Sequence, residues 1–295
     1  MIKQTLFFSN PVSLSLRRQQ IVICISNKEE VVTRPVEDLG CVVLENNQIK
    51  MTIPLLNELV KNNVSVILCD DKHLPSSMLV SLNANTTQTE HIKSQLSATE
   101  PTKKQIWKQI IEAKIKNQNA ILNKYTDHAD LLKPFYMNVK SGDSDNREGI
   151  AAKIYWNALL GKSFRRDRFG DNINTLLNYG YSIIRAAMAR SLLGSGLLPQ
   201  LGIFHKSKYN AFPLVDDIME PYRPYIDDIV CSLCDSDMST LNSESKAALL
   251  SVLDCDVYMG NVTRPLQIAM TFTSASLVRF YSGEAKKLNL PSITQ

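Results

Sequence analysis

The spacing of hydrophobic positions changes near residue 83. Before that point, short runs of branched and alternating apolar residues are separated by turn-forming pieces, a pattern typical of β-strands. The runs span 14–17, 20–25, 31–34, 41–44 and 64–68. One helix is expected among them, with Thr52 as its N-cap and Pro54 in its first turn. Residues 1–83 therefore predict a small β-rich domain.

Residues 84–100 contain few large apolar side chains and predict a linker. From residue 101 to residue 295, apolar residues recur every three or four positions, which indicates helices. The first helix presents one stripe, made of Trp107, Ile110, Ile111, Lys114 and Ile115.

A longer apolar stripe over 173–188, stopped by Gly194 and Gly196, predicts the central core helix of the second part. The predicted fold class is α+β. A small β-rich N-terminal domain of 1–83 and a linker of 84–100 precede a larger all-α C-terminal domain of 101–295.

The composition is that of a globular protein without export or membrane signals. Among 295 residues, 44% are apolar and 21% charged, and the net charge of +4 permits a polyanionic partner without requiring one. The six cysteines follow no framework, and the lone pair Cys231 and Cys234 favours buried thiols over a zinc site. No apolar run long enough to span a membrane and no signal peptide is present. The chain is therefore expected in the cytoplasm, with no membrane partner.

The stretch from His205 to Glu220 carries candidate chemistry. Asp217 and Glu220 are three positions apart and share a face of a helical turn, which Pro221 would kink. An imidazole nitrogen with carboxylate oxygens is a plausible ligand set for Mn²⁺. The alternative is that Asp217 and Glu220 cap a helix or interact with its dipole.

Glu148 is a second candidate, at the start of a predicted helix. Its spacing from Asp145 matches a capping box, so it could simply close its own helix. Gly149 and the alanines after it leave little bulk around the carboxylate, which would let a ligand approach. Both interpretations stay open from the residues alone.

Basic residues cluster in two places. The segment from Lys162 to Arg168, which includes Arg165 and Arg166, is flanked by aromatic residues and could hold phosphates, or could be a solvated loop. Near His205, further positive charge suits a phosphodiester substrate; it comes from Lys206, Lys208 and Arg223.

Several pieces, weak alone but specific in their order and spacing, resemble the CRISPR-associated protein 1 family, the CRISPR adaptation integrases, and most of all the form from type II systems. They are Ser9-Asn-Pro, Ser13-Leu-Ser-Leu-Arg, Glu37-Asp-Leu-Gly-Cys-Val-Val-Leu-Glu-Asn, Cys69-Asp-Asp-Lys-His-Leu-Pro, Arg147-Glu-Gly, Asn174-Thr-Leu-Leu-Asn-Tyr-Gly-Tyr, Gly202-Ile-Phe-His and Asp217-Ile-Met-Glu-Pro-Tyr-Arg-Pro. The matching pieces span nearly the whole chain.

The resemblance implies a β-rich domain followed by an α-helical catalytic domain. It also implies a Mg²⁺ or Mn²⁺ site made by Glu148, His205 and Glu220, with Asp217 as a secondary acidic residue. Family members often have Asp where this chain has Glu220. The implied activity is insertion of foreign DNA fragments into a CRISPR array, by attack of a 3′-hydroxyl on a phosphodiester of the repeat.

The resemblance further implies a homodimer formed through the β domain, with CRISPR-associated protein 2 as bridging partner and other type II adaptation factors as possible helpers. Arg165, Arg166, Lys206, Lys208 and Arg223 are the candidate DNA contacts. Two alternatives remain: a metal-dependent nuclease acting mainly by hydrolysis, and a non-catalytic DNA-binding scaffold.

Overall fold

A computed structural model describes residues 3–25, 31–71, 73–79, 81, 85–168, 170 and 172–294. The chain divides into two compact units, Met1–Thr86 and Thr87–Gln295. The first unit is β-rich and the second is mostly helical, so the predicted α+β class is confirmed.

The first unit contains two four-stranded sheets and one helix. One sheet has the order β1-β5-β7-β8 and the other the order β4-β3-β2-β6. The elements are β1 (Gln4–Phe8), β2 (Val12–Arg17), β3 (Gln20–Ile25), β4 (Val31–Pro35), β5 (Leu39–Leu44), β6 (Lys50–Met51), α1 (Ile53–Lys61), β7 (Ser65–Cys69) and β8 (Pro75–Leu79).

Both sheets and α1 bury side chains in a single hydrophobic core. Leu14 and Ile21 come from one sheet, Val42 and Val66 from the other, and Leu55 from α1. Strands β5 and β7 run parallel and α1 lies in the connection between them, as parallel pairing requires a crossover. Strand β8 was not predicted because it contains a proline and two exposed serines among its five residues.

The second unit is built from helices and one hairpin. Its helices are α2 (Gln88–Leu96), α3 (Glu100–Tyr125), α4 (Lys133–Tyr136), α5 (Arg147–Leu160), α6 (Ile173–Gly194), α7 (Pro213–Ile218), α8 (Arg223–Asp235), α9 (Ser243–Leu250) and α10 (Leu266–Tyr281). The hairpin is β9 (Asp256–Met259) with β10 (Val262–Pro265). This unit is therefore mostly helical, whereas the prediction was an all-α domain. Within the described residues no helix is both long and apolar enough to cross a membrane.

The segment predicted as a linker is instead largely helical, although residue 84, its first, lies outside the described residues. Helix α2 packs within the second unit through polar groups: buried Gln95 donates to the carbonyl of Leu198 at 3.0 Å and accepts from its amide at 3.0 Å. His91 Nδ1 lies 2.8 Å from the carbonyl oxygen of Ser195. A hydrophobicity pattern does not register such contacts, which explains the wrong prediction.

Two long helices frame the second unit. Helix α6 is buried along most of its length and packs against α8, α9 and α10, which confirms it as the core helix. Gly180 permits a close approach there, because an added Cβ would lie 2.5 Å from the side chain of Ile226. Helix α3 packs against α5, α8 and the 3₁₀ turn Glu220–Tyr222. It therefore connects the elements that carry Glu148 and Glu220.

Candidate active site

Glu148 and Glu220 converge on one lysine. Glu148 is the second residue of α5, and Glu220 begins the 3₁₀ turn between α7 and α8. The ammonium of Lys114, on α3, lies 2.5 Å from Glu148 Oε1 and 2.6 Å from Glu220 Oε2. Two carboxylates separated by 72 positions thus face the same cation. Burial alone would lower the pKa of Lys114, but Glu220 and Glu148 raise it above its ordinary value, so the ammonium stays charged.

Glu148 is not used to cap its own helix. The Asn146 side chain accepts from the amide of Gly149 at 3.3 Å. The Asp143 carboxylate accepts from the amides of Arg147 and Glu148, at 2.7 and 3.1 Å. The capping-box interpretation is therefore wrong. Gly149 serves the cap rather than a ligand, since a Cβ there would lie 2.8 Å from the Asn146 side chain.

Glu220 is a buried carboxylate with two cationic neighbours. Its second oxygen lies 3.0 Å from Arg223 Nε, and its side chain is only 5% exposed. Burial alone would raise the pKa of Glu220, but Arg223 and Lys114 outweigh burial and lower it, so the group is held ionised. Asn117 Nδ2, from α3, donates to the carbonyl of Pro221 at 2.8 Å and fixes the turn that presents Glu220.

Asp217 holds His205 and its loop in place. This fully buried carboxylate accepts from the amides of Ile203, Phe204 and His205 at 2.6, 3.0 and 3.2 Å, and lies 2.6 Å from His205 Nδ1. Gly202 lets the loop pass, because a Cβ there would lie 2.6 Å from the carbonyl oxygen of His205. Asp217 is thus a positioning residue.

The bond from Asp217 also sets the chemistry of the imidazole. It assigns a proton to Nδ1 of His205 and leaves Nε2 on the other side of the ring, which is the arrangement seen when a carboxylate orients a metal-binding histidine. The same bond raises the pKa of His205 more than partial burial lowers it, with Glu220 adding to the increase. His205 and Glu220 are therefore electrostatically coupled.

An aromatic pair lies next to the histidine. The rings of Phe204 and Trp107 stack with centroids 4.3 Å apart and planes 3° from parallel, and His205 meets both rings edge-on. Trp107 is buried, whereas Phe204 is 47% exposed. One face of the Phe204 ring is thus held rigidly by Trp107, an arrangement that can receive a planar group.

The candidate basic residues lie in different settings. Arg223 pairs with Glu220 and lies over the ring of Tyr181, with Cζ 4.9 Å from its centroid. Arg166 faces the same ring at 5.2 Å and donates to Asn174 and Asn178 at 3.0 and 2.6 Å, so its N–H groups are largely used inside the unit. Arg165 is exposed on the loop after α5.

Lys206 and Lys208 lie exposed in the loop that follows His205. With His205 they line a cavity of about 380 Å³, to which the start of α3 adds Lys103 and the end of α10 adds Tyr281. The side of the site that His205 faces is thus positively charged, which suits a polyanionic ligand.

A buried network below the arginines was not foreseen. Asp227, on α8, accepts from the hydroxyl of Tyr155 at 2.9 Å and from that of Tyr181 at 2.5 Å. Burial raises the pKa of Asp227 to about 6, although both hydroxyls act in the opposite direction. Because Tyr181 also contacts Arg223, this network supports the partner of Glu220.

The donor chemistry of Glu148, Glu220 and His205 fits a divalent cation. Two carboxylates already enclose one positive charge, and the imidazole is oriented by a buried carboxylate. Across the described ranges, no group of three or more His, Cys, Asp and Glu side chains is arranged so as to hold a metal ion. The ammonium of Lys114 lies between the carboxylates of Glu148 and Glu220.

In the sequence, Lys114 is one member of an apolar stripe. A lysine at a core-facing position of a helix is itself a signal, because lysine is almost never buried unless it is paired with an acid. Cys231 and Cys234 lie on α8. Burial raises the pKa of both thiols, and within the described residues no disulfide joins them to each other or to the other cysteines.

Comparison with known proteins is consistent across sequence and fold. The family model for "CRISPR associated protein Cas1" matches residues 7–252. A CRISPR-associated endonuclease Cas1 from Neisseria meningitidis serogroup C (strain 8013) is 34% identical over 300 residues, covering 98% of this chain and 96% of that protein. This match includes the regions of Glu148, His205 and Glu220.

Two solved structures are similar in fold. A casposase bound to integration product superposes with a TM-score of 0.80 at 20% identity, covering 98% of this chain and 93% of that chain. A Cas6-RT-Cas1–Cas2 complex gives a TM-score of 0.73 at 18% identity, covering 99% of this chain and 36% of that chain. Both likenesses concern the fold.

Proposed function

Because the chain belongs to the CRISPR-associated protein Cas1 family, we propose that it is a DNA integrase and endonuclease that inserts foreign DNA fragments into a CRISPR array. The observation that carries the proposal is the convergence of Glu148 and Glu220 on one positive charge, together with a histidine that buried Asp217 orients and that Glu220 influences electrostatically. The relative from Neisseria meningitidis is named an endonuclease, which supports phosphodiester chemistry at this site.

The reaction is a phosphoryl transfer. The 3′-hydroxyl of the fragment attacks the phosphorus of a repeat phosphodiester, a new P–O bond forms, and the 3′-oxygen of the repeat strand leaves and takes up a proton. Glu148, Glu220 and His205 would hold a divalent cation, Mg²⁺ or Mn²⁺, which would supply charge stabilisation at the phosphate. The imidazole nitrogen makes Mn²⁺ the tighter-binding choice.

The chain's own residues prepare the site before any substrate arrives. Arg223 keeps Glu220 ionised, and Asp217 fixes the ring of His205 so that Nε2 points away from Asp217. Preorganised charges of this kind cost no rearrangement during the reaction. Glu148 and Glu220 are carried by elements that pack against α3, and His205 is held by Asp217.

DNA binding is assigned to the exposed residues around His205. Lys206 and Lys208 neutralise phosphates from the loop, while Arg165 contributes from the loop after α5. The outer face of Phe204 receives a base, since Trp107 holds the ring flat and an aromatic face stacks on any base. Base stacking and phosphate contacts together would place the strand beside the cation site.

Partners follow from the family and from similar structures. One structural neighbour is a casposase bound to integration product, and another is a complex that contains Cas2. We infer that this chain works on DNA in the cytoplasm, as a homodimer bridged by CRISPR-associated protein 2, with type II adaptation factors as further helpers.

A joining assay tests the proposal. It contains the full chain, Cas2, duplex fragments with 3′-hydroxyl ends, a repeat-bearing plasmid, and Mn²⁺ or Mg²⁺ against a chelator. Glu148→Gln and His205→Asn should lose joining while remaining folded. Glu112→Gln should keep it, since that half-buried glutamate on the same helix as Lys114 pairs only with Lys108 in the described structure.

The outcomes separate the candidate functions. Joining that survives Glu148→Gln would overturn the site assignment. Products that are cut but never joined would favour the hydrolytic nuclease, for which the name of the Neisseria relative is the supporting observation. Function that is unchanged by chelator would favour the non-catalytic scaffold.

A further inference from the structure

Lys114 is a buried lysine at the centre of the site. It lies on α3 with a side chain only 9% exposed, and its ammonium touches one oxygen of Glu148 and one of Glu220. Apolar residues surround it along the helix, including Ile110, Ile111 and Ile115, all fully buried. A charged group is retained in such surroundings only when opposite charges compensate its lost hydration.

The geometry gives this ammonium the position that a metal ion would need. The two carboxylates aim at a single point, and the Lys114 nitrogen lies within 2.6 Å of both. A divalent cation held by the same oxygens would need that same point. Both cations would then compete for one small space. Arg223 contacts Glu220 through its other oxygen, so it does not compete for that point.

We propose that Lys114 is the resident cation of this site, that it shields Glu148 and Glu220 from each other before metal binding, and that a divalent ion binds by displacing its ammonium. The inference rests on the proposed function, since it concerns the same cation site. In the described residues Glu148 and Glu220 share the Lys114 ammonium, and no set of three candidate ligands is gathered around a common point. Lys114 is thus a positioning residue that regulates access of the metal.

Displacement makes metal binding weaker than the ligands alone would allow. The apparent affinity is reduced by the fraction of molecules in which the ammonium has left. If that fraction is about one in ten or less, removal of the ammonium raises the apparent affinity about tenfold or more. The same removal leaves Glu148 and Glu220 facing each other without a shared counter-charge. The metal-free protein should then melt at a lower temperature and gain more from added metal.

The test is a Mn²⁺ titration of the full chain without DNA. Binding is measured by calorimetry and by the electron paramagnetic resonance signal of unbound Mn²⁺. Lys114→Met keeps the length of the stem and removes the charge, and Lys114→Arg keeps the charge. The matched control is Lys108→Met, on the same helix, where the ammonium forms a half-buried pair with Glu112 at 3.5 Å. Lys114→Gln replaces Lys114→Met if circular dichroism shows that the methionine variant does not fold.

The proposal predicts that Lys114→Met binds Mn²⁺ about tenfold or more tightly than the unaltered chain, that Lys114→Arg binds no more tightly, and that Lys108→Met is unchanged. Adding Glu148→Gln to Lys114→Met should abolish the gain, which places the ion at this site. Equal or weaker binding by Lys114→Met would overturn the inference and leave the proposed function intact, provided the unaltered chain binds Mn²⁺. Absence of Mn²⁺ binding in every variant would overturn the cation site itself, and with it both proposals.

Discussion

Replacement of Asp217 by Asn tests how the site is assembled. The carboxylate accepts four hydrogen bonds, two on each oxygen, from the amides of Ile203, Phe204 and His205 and from His205 Nδ1. In Asn, one oxygen becomes an NH₂ group that faces two N–H donors, so two of the four bonds are lost. A hydrogen bond to a charged group contributes about 1.5–3 kcal/mol, which gives an expected loss of about 3–6 kcal/mol in the free energy of unfolding.

Urea unfolding of the full chain measures that loss. The control is Glu112→Gln on α3, whose carboxylate forms a more exposed pair with Lys108 and should cost about 1 kcal/mol or less. Nuclear magnetic resonance of the imidazole should also show a lower pKa for His205, because its bond to Asp217 is the largest contribution to the upward shift. Mn²⁺ affinity or joining should fall by about 10–100-fold, as for other residues that orient a metal ligand. Stability within about 1 kcal/mol of the unaltered chain, together with an unchanged pKa for His205, would refute this account of the loop.

Three further changes test other parts of the site. Arg165→Gln should reduce the salt dependence of duplex affinity by about one unit of slope without loss of stability, and an unchanged slope would return this residue to a solvated loop. Phe204→Leu should weaken binding of fragments with single-stranded 3′ ends by about 1–3 kcal/mol, as measured by fluorescence anisotropy, whereas Phe204→Trp should bind normally; equal affinities would remove Phe204 as a stacking surface. Asp227→Asn concerns pH. Because the folded pKa of Asp227 is about 6 and the ordinary value is 3.8, its protonation stabilises the fold fully below the lower value, and this contribution disappears as pH rises through the higher one. Relative to the variant, the unaltered chain should therefore lose about 2 kcal/mol of unfolding free energy between about pH 4.5 and 7. A difference that does not vary with pH would show that Asp227 titrates normally.

The periodicity of apolar residues and the positions of turn-forming residues were enough to predict the main elements. Strands β2, β3, β4, β5 and β7 and helices α3 and α6 were all predicted, because each has a strong periodic apolar pattern bounded by turn residues. The hairpin β9–β10 and helix α2 were missed. The burial of α2 depends on partners distant in the chain, such as Leu198 for Gln95, and a local hydrophobicity pattern does not show such contacts.

The same division holds within the site. Residue types and spacing singled out His205, Asp217 and Glu220 as an imidazole with two carboxylates near Pro221, and Glu148 as a carboxylate followed by small residues. Motif resemblance then gave them roles. Spacing alone could not decide between helix cap and ligand for Glu148. The folded chain shows that Asn146 and Asp143 accept the hydrogen bonds from the first amides of α5, so Glu148 is not the cap.

Sequence by itself thus determined which chemical groups this protein has and which helices and strands carry most of them, since both depend on residues close together in the chain. Only the tertiary structure decided that the Lys114 ammonium lies between Glu148 and Glu220, that Asp217 orients His205, and that Arg166 is used internally. The physical reason is that the charge and protonation of a buried group depend on what surrounds it in space. The neighbours of Glu220 come from 106 positions away as well as from three, and only folding brings them together.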